Sequence, residues 1–277
     1  MSETVKNLVK ACLPSGAVYF LRRQKNILLY SSFLRKNRAV DGVFNGEDCF
    51  ILATGPSINR LDLKLLRGRR CISVSNFFVH PDFALLKPVF HCIAPWHPPI
   101  TEAAWQSWML DLRAHVTDET TLVFGVRDFA RNEGIFADFR RLYMVFGASA
   151  RYITRRGISL GHPLLLPWSV PVMALQIAIA AGFSRIFLLG VQHDLILHPG
   201  VSSHFYAEKE DAKVRGGYSE WDGGGDMGTE FSALAALWEQ YRAIRSVAER
   251  RNVRIVNLTE GSLLDVFERG SLGDFVS

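Results

Sequence analysis

Short apolar runs alternate along this chain with longer segments in which the apolar positions recur every three or four residues. The short runs predict buried β-strands over 49–54, 71–77, 89–94, 121–126, 185–191 and 253–259. The periodic segments predict helices over 58–68, 102–115, 169–182 and 229–251. Strands that alternate with helices favour a single α/β domain, with a mostly parallel, Rossmann-like sheet covered by helices on both faces.

Ligands of such a sheet bind at the carboxyl ends of the strands, near the point where the strand order reverses. The first predicted strand ends in Gly55-Pro56-Ser57, where glycine lets a ligand approach the backbone and the next amides can meet a phosphate or carboxylate. An ordinary strand-to-helix turn is the alternative. Further small or polar residues at strand ends are candidate ligand-binding groups: Thr54, Ser75, Asn76, Gly190, Thr259, Gly261 and Ser262.

The first predicted strand is not followed by a common nucleotide-binding motif. No GxGxxG follows the first strand, and no GxxxxGK[ST] occurs. The DxD element of metal-dependent glycosyltransferases is also missing; Asp222 and Asp226, in WDGGGD, are the nearest acids. We therefore expect no metal site and no cofactor.

Several blocks nevertheless resemble a known family. The order ILATGPSI, SVSNFF, AIAAGFSRIFLLGV, SSHFY and VNLTEGSLLDVF is similar to the bacterial family 42 sialyltransferases, which use CMP-sialic acid, and to their motility-accessory-factor and MptE-like relatives. The resemblance covers roughly residues 47–267 and is weak over 95–165. It implies a nucleotide-sugar site in a Rossmann-like sheet and transfer without a metal.

The resemblance also implies roles for individual residues. Gly55 and Ser57 match the turn that holds the nucleotide, and Asn76 matches a donor-binding asparagine, with Ser75 as the equivalent if no one-residue shift is allowed. Thr54 stands where the family has asparagine, so one donor hydrogen bond is changed or lost.

The segment 192–228 is a long, lid-like loop rich in glycine, histidine and acids, and such loops are often functional. Sugar transfer to a hydroxyl needs a base, and we expect His204, with Asp194 and His193 as rivals. The alternative for each is an ordinary polar surface residue. By resemblance, Tyr206 and Tyr218 are expected to stabilise the departing phosphate, although packing of the loop explains them equally well.

Charge is concentrated at the N-terminus. Residues 1–38 hold eight Lys or Arg and one Glu, against a net charge of +5 for the whole chain. Apolar residues lie between these charges, a basic amphipathic pattern that fits an anionic membrane surface; a helical hairpin packed on the core is the alternative. We assign 1–44 to this segment and 45–277 to the catalytic domain. Outside the N-terminal segment, no basic stripe and no recognition motif predicts nucleic-acid binding.

The spacing of the cysteines gives an expectation for the cellular location of the protein. Cys12, Cys49, Cys71 and Cys92 form no CxxC pair, which indicates reduced core thiols in a cytosolic protein. No apolar run approaches the roughly 20 residues that span a bilayer. We expect a cytoplasmic location, including a peripheral one on the inner face of the membrane, and a homo-oligomer is compatible with the sequence.

These observations together predict a metal-independent glycosyltransferase, similar to sialyltransferases. The donor is a nucleotide sugar, CMP-sialic acid or a related acid sugar, and the acceptor is a hydroxyl of a cell-surface glycan or glycolipid. One alternative is an MptE-like pterin diphosphokinase, which would need Mg²⁺ and clustered carboxylates. The other is a nucleotide-binding relative without catalysis.

Overall fold

The fold is built on one eight-stranded sheet. The computed structural model describes residues 15–198, 203–207, 211, 215 and 226–276. The strands are β1 Asp48–Leu52, β2 Cys71–Val74, β3 Phe90–Cys92, β4 Thr121–Gly125, β5 Arg141–Met144, β6 Phe146–Ala148, β7 Leu164–Leu165, β8 Arg185–Leu189, β9 Arg254–Asn257 and β10 Glu268–Arg269. The sheet order is β10-β9-β8-β1-β2-β3-β4-β5, and β6 pairs with β7 separately. Every pairing is parallel, which confirms the predicted fold class.

Helices cover both faces of the sheet. They are α1 Ser15–Leu29, α2 Ser31–Asn37, α3 Phe83–Leu86, α4 Glu102–His115, α5 Phe129–Asn132, α6 Ala150–Arg156, α7 Val170–Ala181 and α8 Met227–Arg250. Cys49 and Ile51 pack with α6, α7 and α8 on one face, whereas Phe50 and Leu52 pack with α4 on the other. Successive side chains of a strand point to opposite faces, so a strand covered on both faces is apolar throughout.

The strand order reverses at β1. The chain runs outward from β1 through β2, β3, β4 and β5, and then returns to place β8 and β9 on the other side of β1. β8 lies beside β1 from Asp48↔Arg185 to Leu52↔Leu189, so both strands end at the same level. The carboxyl ends of β1, β2 and β8 therefore surround the crevice in which this class of sheet binds its ligands.

The predicted helix over 58–68 is wrong. Two short 3₁₀ turns, Pro56–Arg60 and Leu63–Leu66, occupy this region. The backbone is extended at Leu61 and Asp62 between them, and the Asp62 carboxylate caps the second turn by accepting the Lys64 N–H at 3.1 Å. This local hydrogen bond competes with continuation of a helix.

In the described part of the N-terminal segment, the consecutive helices α1 and α2 pack against the core. The Asn26 amide donates to the Phe146 carbonyl at 2.6 Å, and the buried Asn37 amide donates to the Tyr143 carbonyl at 2.8 Å. These bonds attach α1 and α2 to the β5–β6 region, and Leu34 is buried beneath them. In the described part of the chain, no helix is both long and apolar enough to span a bilayer.

The described cysteines are buried free thiols, as predicted. Burial raises the pKa of Cys71 to about 12, which keeps this thiol protonated near neutral pH. Cys12 lies outside the described residues.

His91 provides a test of core stability. It is fully buried on β3, within 2.7 Å of the Ser73 hydroxyl, and burial lowers its pKa to about 3. Between this value and the unfolded pKa of about 6.5, the unfolded chain binds a proton that the folded chain does not. The stability of the fold therefore decreases as pH falls from about 6.5 towards 3.

We expect His91→Gln to flatten this pH dependence by up to about 1.4 kcal/mol per pH unit. Urea unfolding of wild type and variant between about pH 7 and pH 4 measures the slope. The exposed His162→Gln is the matched control. Equal slopes in wild type and His91→Gln would show that His91 does not cause the loss.

Candidate active site

A cavity of about 710 Å³ lies at the carboxyl ends of β1, β2, β3, β4 and β8. Strand-end segments form its floor: 53–55, 74–75, 94–97, 125–128 and 190–195. Its walls come from outside the sheet, through residues of α1, the segment 166–171 and the loop residues Ser203 and His204. This location agrees with the crevice predicted from the strand order.

Two glycines allow the ends of β1 and β8 to meet. The Gly55 N–H donates to the Gly190 carbonyl at 2.9 Å. A Cβ on Gly55 would lie 2.2 Å from Oε1 of Gln192 and 2.5 Å from the Gly190 carbonyl oxygen. Gly190 has φ +72°, and its Cβ would lie 2.7 Å from the Ala53 carbonyl oxygen. Contacts within the protein thus require both glycines, whether or not a ligand also approaches them.

Thr54 holds His204 at the end of β1. The Thr54 hydroxyl and Nδ1 of His204 are 3.0 Å apart, and the Thr54 carbonyl accepts the N–H of the next loop residue, Phe205, at 2.8 Å. The Phe205 ring packs against Phe77 and His80, with ring centroids 5.9 and 5.2 Å away. Backbone, side chain and aromatic packing together place the predicted base in the cavity.

The two rival bases occupy different environments. His193 lies 2.7 Å from the Tyr241 hydroxyl through Nε2, and burial lowers its pKa to about 4. Asp194 also lines the cavity, with its carboxylate 3.9 Å from Nε2 of the exposed His198. His193 is thus engaged with α8, whereas the partly exposed Asp194 lies beside His198.

The Gly-Pro-Ser turn is occupied by a neighbouring side chain. Oε1 of Gln192 accepts the Ser57 N–H at 3.1 Å, so this amide already has a partner. Ser57 is buried, and Pro56 begins a 3₁₀ turn of only five residues. Gln192 follows the predicted strand 185–191 but was not among the candidate site residues, because an uncharged carboxamide belongs to no recognised sequence motif.

Of the two candidates after β2, Ser75 lines the cavity. It is a non-glycine residue with φ +49°, a conformation that costs on the order of 1 kcal/mol or more. Asn76 is buried away from the cavity lining, and its carboxamide oxygen accepts the indole N–H of Trp108.

The candidates after β9 lie behind the cavity. The Thr259 hydroxyl accepts the Val191 N–H at 3.0 Å, and the Ser262 hydroxyl donates to the Val191 carbonyl at 2.6 Å. Gly261 turns the chain between them with φ +71°. These residues position the 190–194 segment and are not among the cavity-lining residues.

Of the two tyrosines in the lid-like loop, Tyr206 lies among the described residues. The Tyr206 ring stacks on the His204 ring, with centroids 4.7 Å apart and planes 10° from parallel. Tyr218 lies outside the described residues, as does Asp222.

A buried carboxylate that was not among the predicted site residues lies in the floor of the cavity. Asp128 follows β4 and is 1% exposed; its Oδ2 accepts the Trp96 N–H at 3.1 Å, and Oδ1 is 3.5 Å from the Arg131 guanidinium. Burial raises its pKa above the usual range for aspartate. His97, after β3, also lines the cavity and donates from Nδ1 to the Pro98 carbonyl at 2.8 Å. Both stand at strand ends, so the rule used for β1 identifies them.

The walls also differ from expectation. Arg22 and Asn26 of α1 line the cavity, as does Tyr30, which follows this helix, so the N-terminal segment contributes to the site. Trp168 lines it and is 60% exposed, where a core position is more common for tryptophan. Among the described residues, no group of three or more His, Cys, Asp or Glu is placed to hold a metal ion.

No known family profile and no curated protein sequence match the chain. Solved structures of similar shape include the sialyltransferase CstII from Campylobacter jejuni in complex with the substrate analogue CMP-3FNeuAc. That match has 15% identity and a TM-score of 0.43, and covers 80% of this chain and 85% of the other. A CST-II variant in complex with CMP gives 15% identity and a TM-score of 0.48, over 82% and 88%. TM-scores below 0.5 at this identity establish no shared activity.

Substitution of Gly55 tests the close approach of β1 and β8. We expect Gly55→Ala to lower the free energy of unfolding by about 1–3 kcal/mol, because the new Cβ overlaps Gln192 and the Gly190 carbonyl. Gly134→Ala is the control, since a Cβ there meets nothing within 4 Å. Denaturant unfolding measures both, and equal stabilities would contradict the steric argument.

Proposed function

We propose that this chain is a metal-independent glycosyltransferase that moves an acid sugar from a CMP-linked donor to a hydroxyl of a glycan or glycolipid. The observation that carries the proposal is the Thr54–His204 contact at the strand-order reversal, inside a cavity large enough for a nucleotide sugar. The ILATGPSI and SVSNFF blocks, which are similar to those of CMP-sialic-acid-using enzymes, support the choice of donor.

In the proposed reaction, His204 accepts the proton of the acceptor hydroxyl. The acceptor oxygen bonds to the anomeric carbon while the bond from this carbon to the phosphate oxygen breaks, and CMP leaves with the electron pair. The proton moves to Nε2 of His204. This transfer requires the tautomer in which Nδ1–H donates to the Thr54 hydroxyl, because Nε2 then carries the lone pair. Thr54 is thus a positioning residue.

Two arginines support the binding of an anionic donor. Arg22 and Arg127 both line the cavity, the first from α1 and the second from the turn after β4. A guanidinium matches the geometry of phosphate or carboxylate with paired N–H donors. Both the phosphate of CMP and the carboxylate of an acid sugar fit this chemistry.

Ligand binding separates this proposal from the diphosphokinase alternative. We expect CMP to raise the melting temperature equally in EDTA and in Mg²⁺, because the proposed site uses no metal. UDP, GDP and ATP should give smaller shifts in the same assay. Stabilisation by ATP only when Mg²⁺ is present would favour pyrophosphate transfer and overturn the proposal.

Two substitutions test the base and its positioning. We expect His204→Ala to lower turnover of a CMP-linked acid sugar by about 10²–10⁴-fold with little change in donor affinity, and to remove the acidic limb of the pH profile. Thr54→Val should also slow transfer, on the order of tenfold, whereas Thr54→Ser keeps the hydroxyl and the rate.

His198→Ala is the matched control, since His198 is exposed and lies outside the cavity lining. Full activity of His204→Ala with an unchanged acidic limb would remove His204 as the base. Asp194→Asn and His97→Gln would then identify the group that takes its place.

A further inference from the structure

Two separate parts of the sequence contain basic residues and no acids. The first, 15–38, carries Arg22, Arg23, Lys25, Arg35, Lys36 and Arg38. The second runs from Phe139 to His193 and includes Arg151, Arg155 and Arg156. The net charge of the first 38 residues suggests that the basic character of the chain is confined to its N-terminus. The second acid-free stretch shows that it is not.

The fold brings these two parts together. The Arg23 guanidinium lies over the Tyr152 ring of α6, 4.1 Å from its centroid, and the Arg38 side chain packs against Gly161. A groove of about 300 Å³ between α1 and α6 is lined by Arg23, Arg156 and His162 among others. We call the surface formed by Arg23, Lys25, Arg35, Lys36 and Arg38 with Arg151, Arg155, Arg156 and His162 the basic face; Arg22 is left out because it lines the cavity.

The charges of the basic face lack acidic partners. Within the described residues, none of its Lys or Arg side chains forms an ion pair with a carboxylate. Elsewhere on the surface, guanidiniums pair closely with acids, as in Arg185–Asp48 and Arg254–Glu268 at 2.6 and 2.5 Å. The basic face is thus distinguished by uncompensated positive charge.

Exposed apolar side chains of α1 accompany this charge. Leu21 and Leu28 are 54% and 78% exposed, and Lys25 lies between them at helical spacing on the same side of the helix. Tyr19, Phe20 and Leu29 are also about half exposed or more. The inward side of α1 is attached through Asn26, so the outward side remains available for a partner.

We propose that the basic face binds an anionic phospholipid membrane, with the outward apolar residues of α1 inserted at the headgroup level. Lys and Arg near such a surface are attracted by its negative potential, and apolar side chains between them add a hydrophobic contribution. Nucleic acid would match the charge alone and would leave Leu21 and Leu28 without a role.

Membrane binding by the basic face also sets the orientation of the cavity relative to the bilayer. Arg22 and Asn26 of α1 line the cavity while the neighbouring Leu21, Lys25 and Leu28 face outward, so one helix separates the bound surface from the cavity. If the proposed transferase activity holds, an acceptor anchored in the same membrane reaches His204 along this wall. Membrane binding itself does not depend on that activity.

Vesicle flotation of the full chain tests the proposal. We expect binding to vesicles of phosphatidylglycerol and phosphatidylcholine, none to phosphatidylcholine alone, and release at high salt. Arg155→Glu/Arg156→Glu should weaken binding about tenfold or more, because α6 belongs to the face. Leu21→Ser/Leu28→Ser, which keeps the charge, should weaken it as well.

Arg67→Glu/Arg69→Glu is the matched control, since it changes the charge equally at exposed positions before β2, at the amino end of the sheet. Thermal unfolding checks that each variant is folded. Absence of wild-type binding, or equal losses in the α6 and control variants, would overturn the proposal. Unchanged binding by Leu21→Ser/Leu28→Ser together with tight binding of duplex DNA would reassign the face to polyanions in general. CMP binding is measured separately, so that failure of the membrane proposal can be told apart from failure of the glycosyltransferase proposal.

Discussion

The parallel pairing of β1 with β8 is the constraint on which the rest of the molecule depends. It reverses the strand order, and it brings two loops to the same level at the carboxyl edge of the sheet. Gly55 and Gly190 let the two backbones continue side by side beyond the strands. A Cβ on Gly55 would overlap the Gly190 carbonyl, and one on Gly190 would overlap the Ala53 carbonyl, so a side chain at either position strains the junction under the cavity.

The cavity is built mainly by fixing a loop to this floor. Thr54 bonds to the loop through its carbonyl and through its hydroxyl, so one residue of the rigid sheet sets both the path of the 203–207 segment and the orientation of His204. Sites supported by rigid elements keep their geometry better than sites within free loops.

The sequence predicted the sheet well and the cavity walls poorly, for physical reasons. Strands buried on both faces are continuous apolar runs, so β1, β4 and β8 are visible without any tertiary information. The edge strand β5 and the short β7 also lie in apolar runs, LYMVF and LLL, but were not predicted as strands. Asp128 and Gln192 follow recognised strands, but their burial and partners arise only when distant strand ends meet. Arg22 and Tyr30 reach the cavity through contacts with β6, more than 100 residues away, and no local pattern encodes that distance.

The attachment of α1 to β6 has a consequence for synthesis on the ribosome. Asn26 finds its partner, the Phe146 carbonyl, 120 residues later in the chain. At translation rates of about 5–20 residues per second, the helix emerges roughly ten seconds before the surface that it packs against. During this interval both sides of α1 are uncovered, so a nascent chain can engage a bilayer or a chaperone before the sheet exists. The order of emergence thus leaves α1 accessible to other molecules before its partner surface on β6 has been synthesised.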